Sequence, residues 1–306
     1  MKRLVMFVPV FLWACSSSSP TPTPVGDGGT PTGWRAAVGE SGTFVSTFDE
    51  VTWTARSVAP ANLYGVSCVG NDVGWAVGEA GAVAHTKDGG QTWGWQQSHE
   101  HATLRAVAFA DLQRGVAAGD AGALTFTTDG GTTWTPLAKT TVSLRAAVAT
   151  PDSLYVVGDG GTFLRSVGDD FVPSAVTGAT DLRAVAASGA RVFVADTAGH
   201  VFASIDGGLT FAQETSAPHG LGALSMNARG EVLAAGDQGT VLRRSSAGVW
   251  RTVDVHSTAN LHAALLASTA AYVAGDEGTL LRATSETFAP LALPTKAALW
   301  GLESLE

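Results

Sequence analysis

A phrase of the form Val/Ala-Gly-Asp/Glu-x-Gly recurs along this chain of 306 residues at steps of about 40 residues. A period of this length, with β-type sequence inside each repeat, is typical of a β-propeller in which every repeat forms one blade. Helical periodicity is absent, so the sequence predicts an all-β fold with seven blades. The copies, including a degenerate fifth one, begin at Val38, Val77, Ala118, Val157, Ala195, Ala235 and Ala274.

A second repeated element predicts how the ring closes. A short strand that starts Leu-x-Ala/Gly precedes six of the seven phrases, and the N-terminal repeat lacks it. The seventh copy of this strand, at Leu299, stands at the C-terminus with no repeat after it. We therefore expect the C-terminal strand to join the N-terminal blade, which leaves no free sheet edge. Each blade then has four strands, here named A to D in repeat order.

Three repeats carry a further turn motif between strands C and D, the Asp-box Ser/Thr-x-Asp-Gly-Gly-x-Thr-aromatic. Its carboxylates belong to Asp88, Asp129 and Asp206. We expect a structural role for these residues, because an aspartate at this position accepts backbone N–H bonds across the turn and the glycines supply positive φ.

The blade pattern resembles a known family. Leu104-Arg105-Ala106-Val107, the Val157-Gly158-Asp159-Gly160-Gly161-Thr162 phrase and the Asp129 box are similar to the repeats of the photosystem II stability/assembly factor family. That family of seven-bladed propellers belongs to the BNR/Asp-box group. The resemblance covers residues 34–306 and implies a scaffold that binds polypeptide.

The N-terminus predicts export and a lipid anchor. Lys2 and Arg3 precede an apolar run that is too short to span a bilayer, and Ala14-Cys15 fits the site at which bacterial lipoproteins are cleaved and acylated. Residues 1–15 are thus predicted to be a lipoprotein signal, and residues 16–33 a Ser/Thr/Pro/Gly-rich tether before the propeller of residues 34–306. A plain secretory signal with an incidental cysteine is the alternative. The lipid on Cys15 predicts a place in the bacterial cell envelope, at the outer membrane.

The composition restricts the classes of molecule that the protein can be expected to bind. The formal net charge of −9 argues against nucleic acid. Cys68 is the only cysteine besides Cys15, so no disulfide is expected in the mature protein. The sequence predicts a monomer without cofactor or metal.

The residue after each strand-A leucine is expected at the mouth of the central channel. Three consecutive blades supply Arg105, Arg145 and Arg183 there, and the opposite arc supplies His262, Trp300 and Tyr64. One hypothesis is a binding mouth, with a cationic arc for a carboxylate or acidic peptide and an aromatic arc for an apolar side chain. The other hypothesis concerns the acidic residue of the repeated glycine phrase, which lies in the hairpin between strands B and C and is called the hairpin acid. Each arginine would pair with the hairpin acid of a neighbouring blade and so connect the two blades.

These features favour a non-enzymatic scaffold that binds a polypeptide at the channel mouth, in the assembly of envelope or membrane complexes. The alternative is a carbohydrate-binding or weak glycosidase-type Asp-box protein. Sialidases have six blades and a tyrosine nucleophile backed by a glutamate, whereas the acids of this chain lie in repeated turns. Trp95, outside the repeat pattern, gives slight support to carbohydrate.

Overall fold

The computed structural model describes residues 35–47, 52–70, 72–267 and 270–304. These residues form seven four-stranded antiparallel sheets in the order of a ring, so the predicted seven-bladed β-propeller is confirmed. The predicted signal, Cys15 and the tether lie outside the described residues.

The strands follow one plan in every blade. Blade 1 contains β1 (Arg35–Gly39), β2 (Thr43–Thr47), β3 (Thr54–Ser57) and β28 (Leu299–Ser304). Blade 2 contains β4 (Leu63–Val69), β5 (Val73–Gly78), β6 (Ala82–Thr86) and β7 (Gly94–Gln97). Blade 3 contains β8 (Leu104–Phe109), β9 (Gly115–Gly119), β10 (Leu124–Thr127) and β11 (Thr135–Pro136).

The other four blades repeat this plan. Blade 4 contains β12 (Leu144–Ala149), β13 (Leu154–Gly158), β14 (Thr162–Val167) and β15 (Asp170–Ala175). Blade 5 contains β16 (Leu182–Ser188), β17 (Arg191–Asp196), β18 (His200–Ser204) and β19 (Ala212–Ser216). Blade 6 contains β20 (Leu221–Met226), β21 (Val232–Gly236), β22 (Val241–Arg244) and β23 (Trp250–Thr252). Blade 7 contains β24 (Leu261–Leu266), β25 (Ala271–Gly275), β26 (Leu280–Ala283) and β27 (Ala289–Pro290).

The ring closes as the sequence predicted. Strand β28 pairs with β1 in antiparallel register, with Ala37 opposite Leu302 and Val38 opposite Gly301. It thereby occupies in blade 1 the position that strand A holds in each other blade. The C-terminal strand and the N-terminal strand share one sheet, so the two ends of the propeller are joined by a ladder of backbone hydrogen bonds.

The core lies between neighbouring blades. Each strand B is buried along most of its length, and the apolar clusters combine residues of two adjacent blades. Between blades 2 and 3, for example, the rings of Trp75 and Phe109 stack with an interplanar angle of 8°, and Trp134 contacts Phe109 edge-on. Packing of large side chains across blade faces, without a disulfide among the described residues, therefore holds the ring together.

The repeated glycine phrase has two separate backbone requirements. Its first glycine lies where strand B approaches strand A, and at Gly119 a Cβ atom would lie 2.0 Å from the carbonyl oxygen of Thr103. Its second glycine belongs to a tight turn: Ala121 (φ 55°) and Gly122 (φ 79°) are both left-handed, and the Ala123 N–H donates to Asp120. This is a type I′ hairpin turn, in which two consecutive residues are left-handed.

Candidate functional site

A β-bulge in strand A aims one side chain of each blade at the central axis. In blade 3 the register shifts between Leu104 and Ala106, so Arg105 is the extra residue of the bulge. The leucine can then stay in the core between blades while the next side chain leaves the sheet. The same shift occurs in the other blades.

The seven bulge residues line one cavity. It has a volume of about 500 Å³ and runs between the A strands, whose alanine, glycine and valine residues form most of its wall. The bulge residues stand at the edge of the sheets where the type I′ turns also lie. We call this edge the mouth, and its residues are Trp300, Tyr64, Arg105, Arg145, Arg183, Gly222 and His262.

Two of the three mouth arginines are held by carboxylates. Arg105 donates through Nε and an Nη to the two oxygens of Asp120, at 3.1 and 2.8 Å. Arg145 binds Asp159 in the same bidentate manner, at 2.8 and 2.7 Å. These hydrogen bonds raise the pKa of both guanidinium groups, and the bond from Arg145 holds the pKa of Asp159 below its usual value.

The pairing differs from the one considered at the level of sequence. Both arginines bind the hairpin acid of their own blade, and only Arg145 also reaches the acid of a neighbouring blade, Asp120, at 3.4 Å. The reason is geometric: the bulge residue and the turn of the same blade lie at the same end of adjacent strands A and B. The guanidinium groups of Arg105 and Arg145 are therefore already engaged in hydrogen bonds with carboxylates of the protein.

Arg183 is different. It is exposed at the mouth and makes no hydrogen bond or ion pair with any described residue. In its blade the hairpin acid position is taken by Thr197, and the acid stands one residue earlier, in place of the first glycine of the phrase. This acid, Asp196, is fully buried and accepts the N–H groups of Thr180, Ala198 and His200. Asp196 is thus committed to its own turn, and Arg183 remains a cation available at the rim.

Blade 6 leaves an opening beside Arg183. Its bulge residue is Gly222, and among the described residues a Cβ atom added there would have only the carbonyl oxygen of Leu261 within 4 Å, at 3.7 Å. On the far side of this opening, the His262 ring nitrogen Nε2 lies 2.7 Å from Asp276. The rim therefore has a gap between an available cation and a paired histidine.

The aromatic arc forms a continuous stack. The rings of Trp300 and Tyr64 are 4.9 Å apart at 29°, and the Arg105 guanidinium lies 4.5 Å from the centre of the Tyr64 ring. Tyr64 also donates its hydroxyl to Glu79 at 3.3 Å. This stack joins the C-terminal strand to blades 2 and 3, a contact that sequence reasoning could not identify because its members belong to three different repeats.

A set of hydrogen bonds between neighbouring blades was not predicted from the sequence. The residue before the strand-A leucine accepts a hydrogen bond from the left-handed residue of the preceding blade's turn. Asn62 binds the Ser41 N–H at 2.8 Å, and Asp181 binds the Gly160 N–H at 2.8 Å. The repeated small polar residue at this position was the available signal; the acceptors are Asn62, Ser143, Asp181 and Asn260.

The Asp-box aspartates lie at the opposite edge of the blades, in the turns between strands C and D. The Asp206 carboxylate accepts the hydroxyl of Thr210 at 2.6 Å, that of Ser204 at 2.7 Å and the N–H groups of Leu209 and Thr210. These bonds, led by the Thr210 hydroxyl, hold the pKa of Asp206 far below its usual value. Asp88 and Asp129 make corresponding bonds within their own turns.

A second cavity, of about 350 Å³, lies at the outer part of blade 2. It is lined by the turn at Ala80–Val83 and by residues 95–101, including Trp95, whose side chain is 55% exposed. Burial raises the pKa of Glu100 in this lining. The cavity combines an exposed aromatic ring with polar side chains.

No group of three or more His, Cys, Asp or Glu side chains is arranged in the described part of the chain to hold a metal ion. No helix within the described ranges has the length and apolar character needed to cross a membrane.

Fold and mouth together define a seven-bladed β-propeller with a single polar rim around a central cavity. No protein-family model matches the sequence, and no curated protein matches it. Similar solved structures do exist. The chain is similar to YCF48 bound to D1 peptide, with a TM-score of 0.61 and 16% identity over 88% of this chain and 95% of that one.

Two further structures have the same architecture. YCF48 from Cyanidioschyzon merolae has a TM-score of 0.61 and 14% identity over 87% of this chain and 90% of that chain. The WD40 β-propeller domain of Doa1 has a TM-score of 0.62 and 13% identity over 79% of this chain and 86% of that one. At these identities the likeness establishes the fold.

Proposed function

We propose that this protein is a non-enzymatic scaffold that binds a polypeptide segment at the mouth of its central cavity. The observation that carries the proposal is Arg183: it is exposed, makes no hydrogen bond or ion pair with any described residue, and stands beside the opening at Gly222. Its charge also helps to lower the pKa of Asp159, whose carboxylate is already hydrogen-bonded to Arg145. A carboxylate of the bound segment would receive charge-assisted hydrogen bonds from its guanidinium. The small side chains of the cavity wall then leave room for an apolar residue of the same segment.

The paired arginines define the rest of the rim. Asp120 and Asp159 neutralise Arg105 and Arg145, so these residues present a fixed, largely compensated surface. The stacked rings of Trp300 and Tyr64 offer an apolar face on the other side of the mouth. A segment that spans the opening would thus meet one available cation and one aromatic face, which favours an acidic residue followed or preceded by an apolar one.

The similar structure of YCF48 bound to D1 peptide supports a polypeptide partner for a propeller of this kind. We further propose the family link that the blade pattern indicates, a lipid anchor on Cys15, and a place for the protein in the bacterial envelope at the outer membrane. The partner would then be a segment of an envelope or membrane protein. We propose that the propeller acts as a monomer.

The test is capture of the partner from the protein's own cells. The full chain is crosslinked in place and purified, and its partners are identified by mass spectrometry, beside Arg183→Glu and Arg191→Glu variants. Arg191 begins β17 at the other end of blade 5 and is also exposed, so it is the matched control. A charge-assisted hydrogen bond contributes about 1.5–3 kcal/mol, so Arg183→Glu should weaken binding about 10- to 100-fold.

The expected result is a protein partner that is captured by the unchanged chain and by Arg191→Glu, and is lost in Arg183→Glu at an unchanged melting temperature. Equal capture by all three proteins contradicts a site at the mouth. Absence of any protein partner contradicts the scaffold itself.

Carbohydrate binding is a second candidate function, and the cavity beside Trp95 favours it. An exposed tryptophan is a suitable platform for the apolar face of a sugar ring, and the neighbouring polar groups can bind hydroxyls. A glycan array probed with the full chain and with Trp95→Ala distinguishes this function from polypeptide binding.

A further inference from the structure

The two most exposed large apolar side chains of the described residues lie in a single turn. Ile205 is 80% exposed and Leu209 is 68% exposed. Both belong to the Asp-box of blade 5, which connects β18 to β19. Each would gain free energy from leaving water, in proportion to its exposed apolar surface. We call these two residues the apolar tip.

The turn holds the apolar tip outwards and rigid. Asp206 accepts hydrogen bonds from both backbone and side-chain donors of this turn, and Ser204 Oγ accepts the Gly208 N–H at 2.8 Å. The turn is also fixed to the body of the blade, because Gly207 donates to the carbonyl of Ala190 at 2.9 Å. The apolar side chains are therefore displayed on a preformed loop, which lowers the entropy lost on binding.

The fold does not require apolar residues at these positions. The Asp-boxes of blades 2 and 3 share the bonds from the Ser/Thr hydroxyl and from the second Thr to the carboxylate, and the bond from the second glycine N–H to the first hydroxyl. Yet they carry Lys87 and Gln91 in blade 2, and Thr128 and Thr132 in blade 3, where blade 5 has its apolar tip. Because the same turn forms with polar residues at these two positions, formation of the turn does not explain why blade 5 has Ile205 and Leu209 there.

The apolar tip and the entry of the chain lie on the same face of the propeller. Strand β1 runs from Arg35 to the type I′ turn at the mouth, so Arg35 lies at the edge opposite the mouth. The Asp-box turns lie at that same edge. A lipid on Cys15 would be joined to Arg35 by a segment that spans at most about 70 Å when extended. The chain would therefore enter the propeller at the face that carries the apolar tip.

We propose that the apolar tip inserts into the lipid bilayer to which the protein is tethered, and orients the propeller with its mouth away from the membrane. A second copy of this chain is the less suitable occupant. A stable protein interface needs about 800 Å² from each partner and a complementary shape, whereas a bilayer accepts a convex apolar wedge of two side chains.

Tethering makes such a small contact effective. Two side chains alone give weak membrane binding, but a flexible linker turns insertion into an intramolecular event at millimolar effective concentration. The inference goes beyond the proposed function, since it concerns the opposite face of the ring. It uses the predicted lipid on Cys15, which intact mass spectrometry of the purified full chain measures independently.

The experiment is site-specific photocrosslinking of the full chain in vesicles of phosphatidylethanolamine and phosphatidylglycerol. A photoreactive leucine analogue replaces Leu209 in one protein and Gln91, the matched position of blade 2, in another. We expect the yield of phospholipid adduct at position 209 to exceed that at position 91 by about 10-fold. Adding Ile205→Thr, the residue type of blade 3, should lower the yield at position 209 about 10-fold, because half of the apolar wedge is removed.

Equal lipid adducts at positions 209 and 91 would overturn the proposal, as would a yield at position 209 that does not respond to Ile205→Thr. Adducts between two copies of the chain at position 209 would overturn it in favour of self-association. Loss of the adduct in a chain whose mass shows the lipid on Cys15 also overturns it, because the anchor is then present and the tip is not inserted.

Discussion

Leu299 provides a quantitative test of ring closure. Its side chain is fully buried in the cluster between blades 7 and 1, against Ala37, Val45, Trp53 and Leu280. It is held there only because β28 pairs with β1, which is separated from it by nearly the whole chain. Replacing it with alanine leaves the backbone ladder intact and removes part of the packing that closes the ring.

The magnitude follows from burial. A fully buried leucine changed to alanine loses its transfer free energy and leaves a cavity, which together cost about 2–5 kcal/mol. Leu144 holds the equivalent position in blade 4, is also fully buried, and lies in the middle of the chain. If blades 7 and 1 pack against each other as well as blades 3 and 4 do, Leu299→Ala and Leu144→Ala should lower the free energy of unfolding by similar amounts.

The assay is urea unfolding of the two variants beside the unchanged chain. With a slope of roughly 3 kcal/mol per molar urea, a loss of about 3 kcal/mol moves the midpoint by about 1 M. A Leu299→Ala protein that loses less than about 0.5 kcal/mol, while Leu144→Ala loses several times more, would refute a closed ring. The C-terminal strand would then contribute little to the stability of the folded protein.

Two further predictions concern the turns. Gly42→Ala should be far more destabilising than Gly160→Ala in thermal unfolding. Both glycines have positive φ, which costs an alanine about 1 kcal/mol at either position. Only at Gly42 would the added Cβ also lie 2.0 Å from the Ala59 carbonyl oxygen. Equal losses would contradict this. Arg145 lowers the pKa of Asp159 in the folded protein, so the carboxylate stabilises the fold above its unfolded pKa of about 3.9, and this contribution is lost as pH falls through the lower folded value. The urea midpoint of Asp159→Asn should therefore fall less than that of the unchanged chain between about pH 5 and pH 2; identical falls would count against the ion pair.

Much of the mouth was open to prediction from the repeats. The position after each strand-A leucine lines the cavity in all seven blades, because a repeated sequence places equivalent residues at equivalent points of a ring. The pairing within the mouth was not open to prediction. It depends on the bulge, which sends Arg105 towards the turn of its own blade. It also depends on blade 5, where Thr197 replaces the hairpin acid and Asp196 is buried, so that Arg183 has no carboxylate of its own blade to bind.

The sequence by itself determined the number of blades, the hairpin turns and the strand that closes the ring. These are local properties: each blade is a meander whose strands neighbour one another in the chain, so that periodicity and turn residues are enough to define it. Only the tertiary structure decided which side chains meet across blades. The stack of Trp300, Tyr64 and Arg105 and the opening at Gly222 depend on how neighbouring sheets are rotated and brought together at the axis, which no repeat encodes alone.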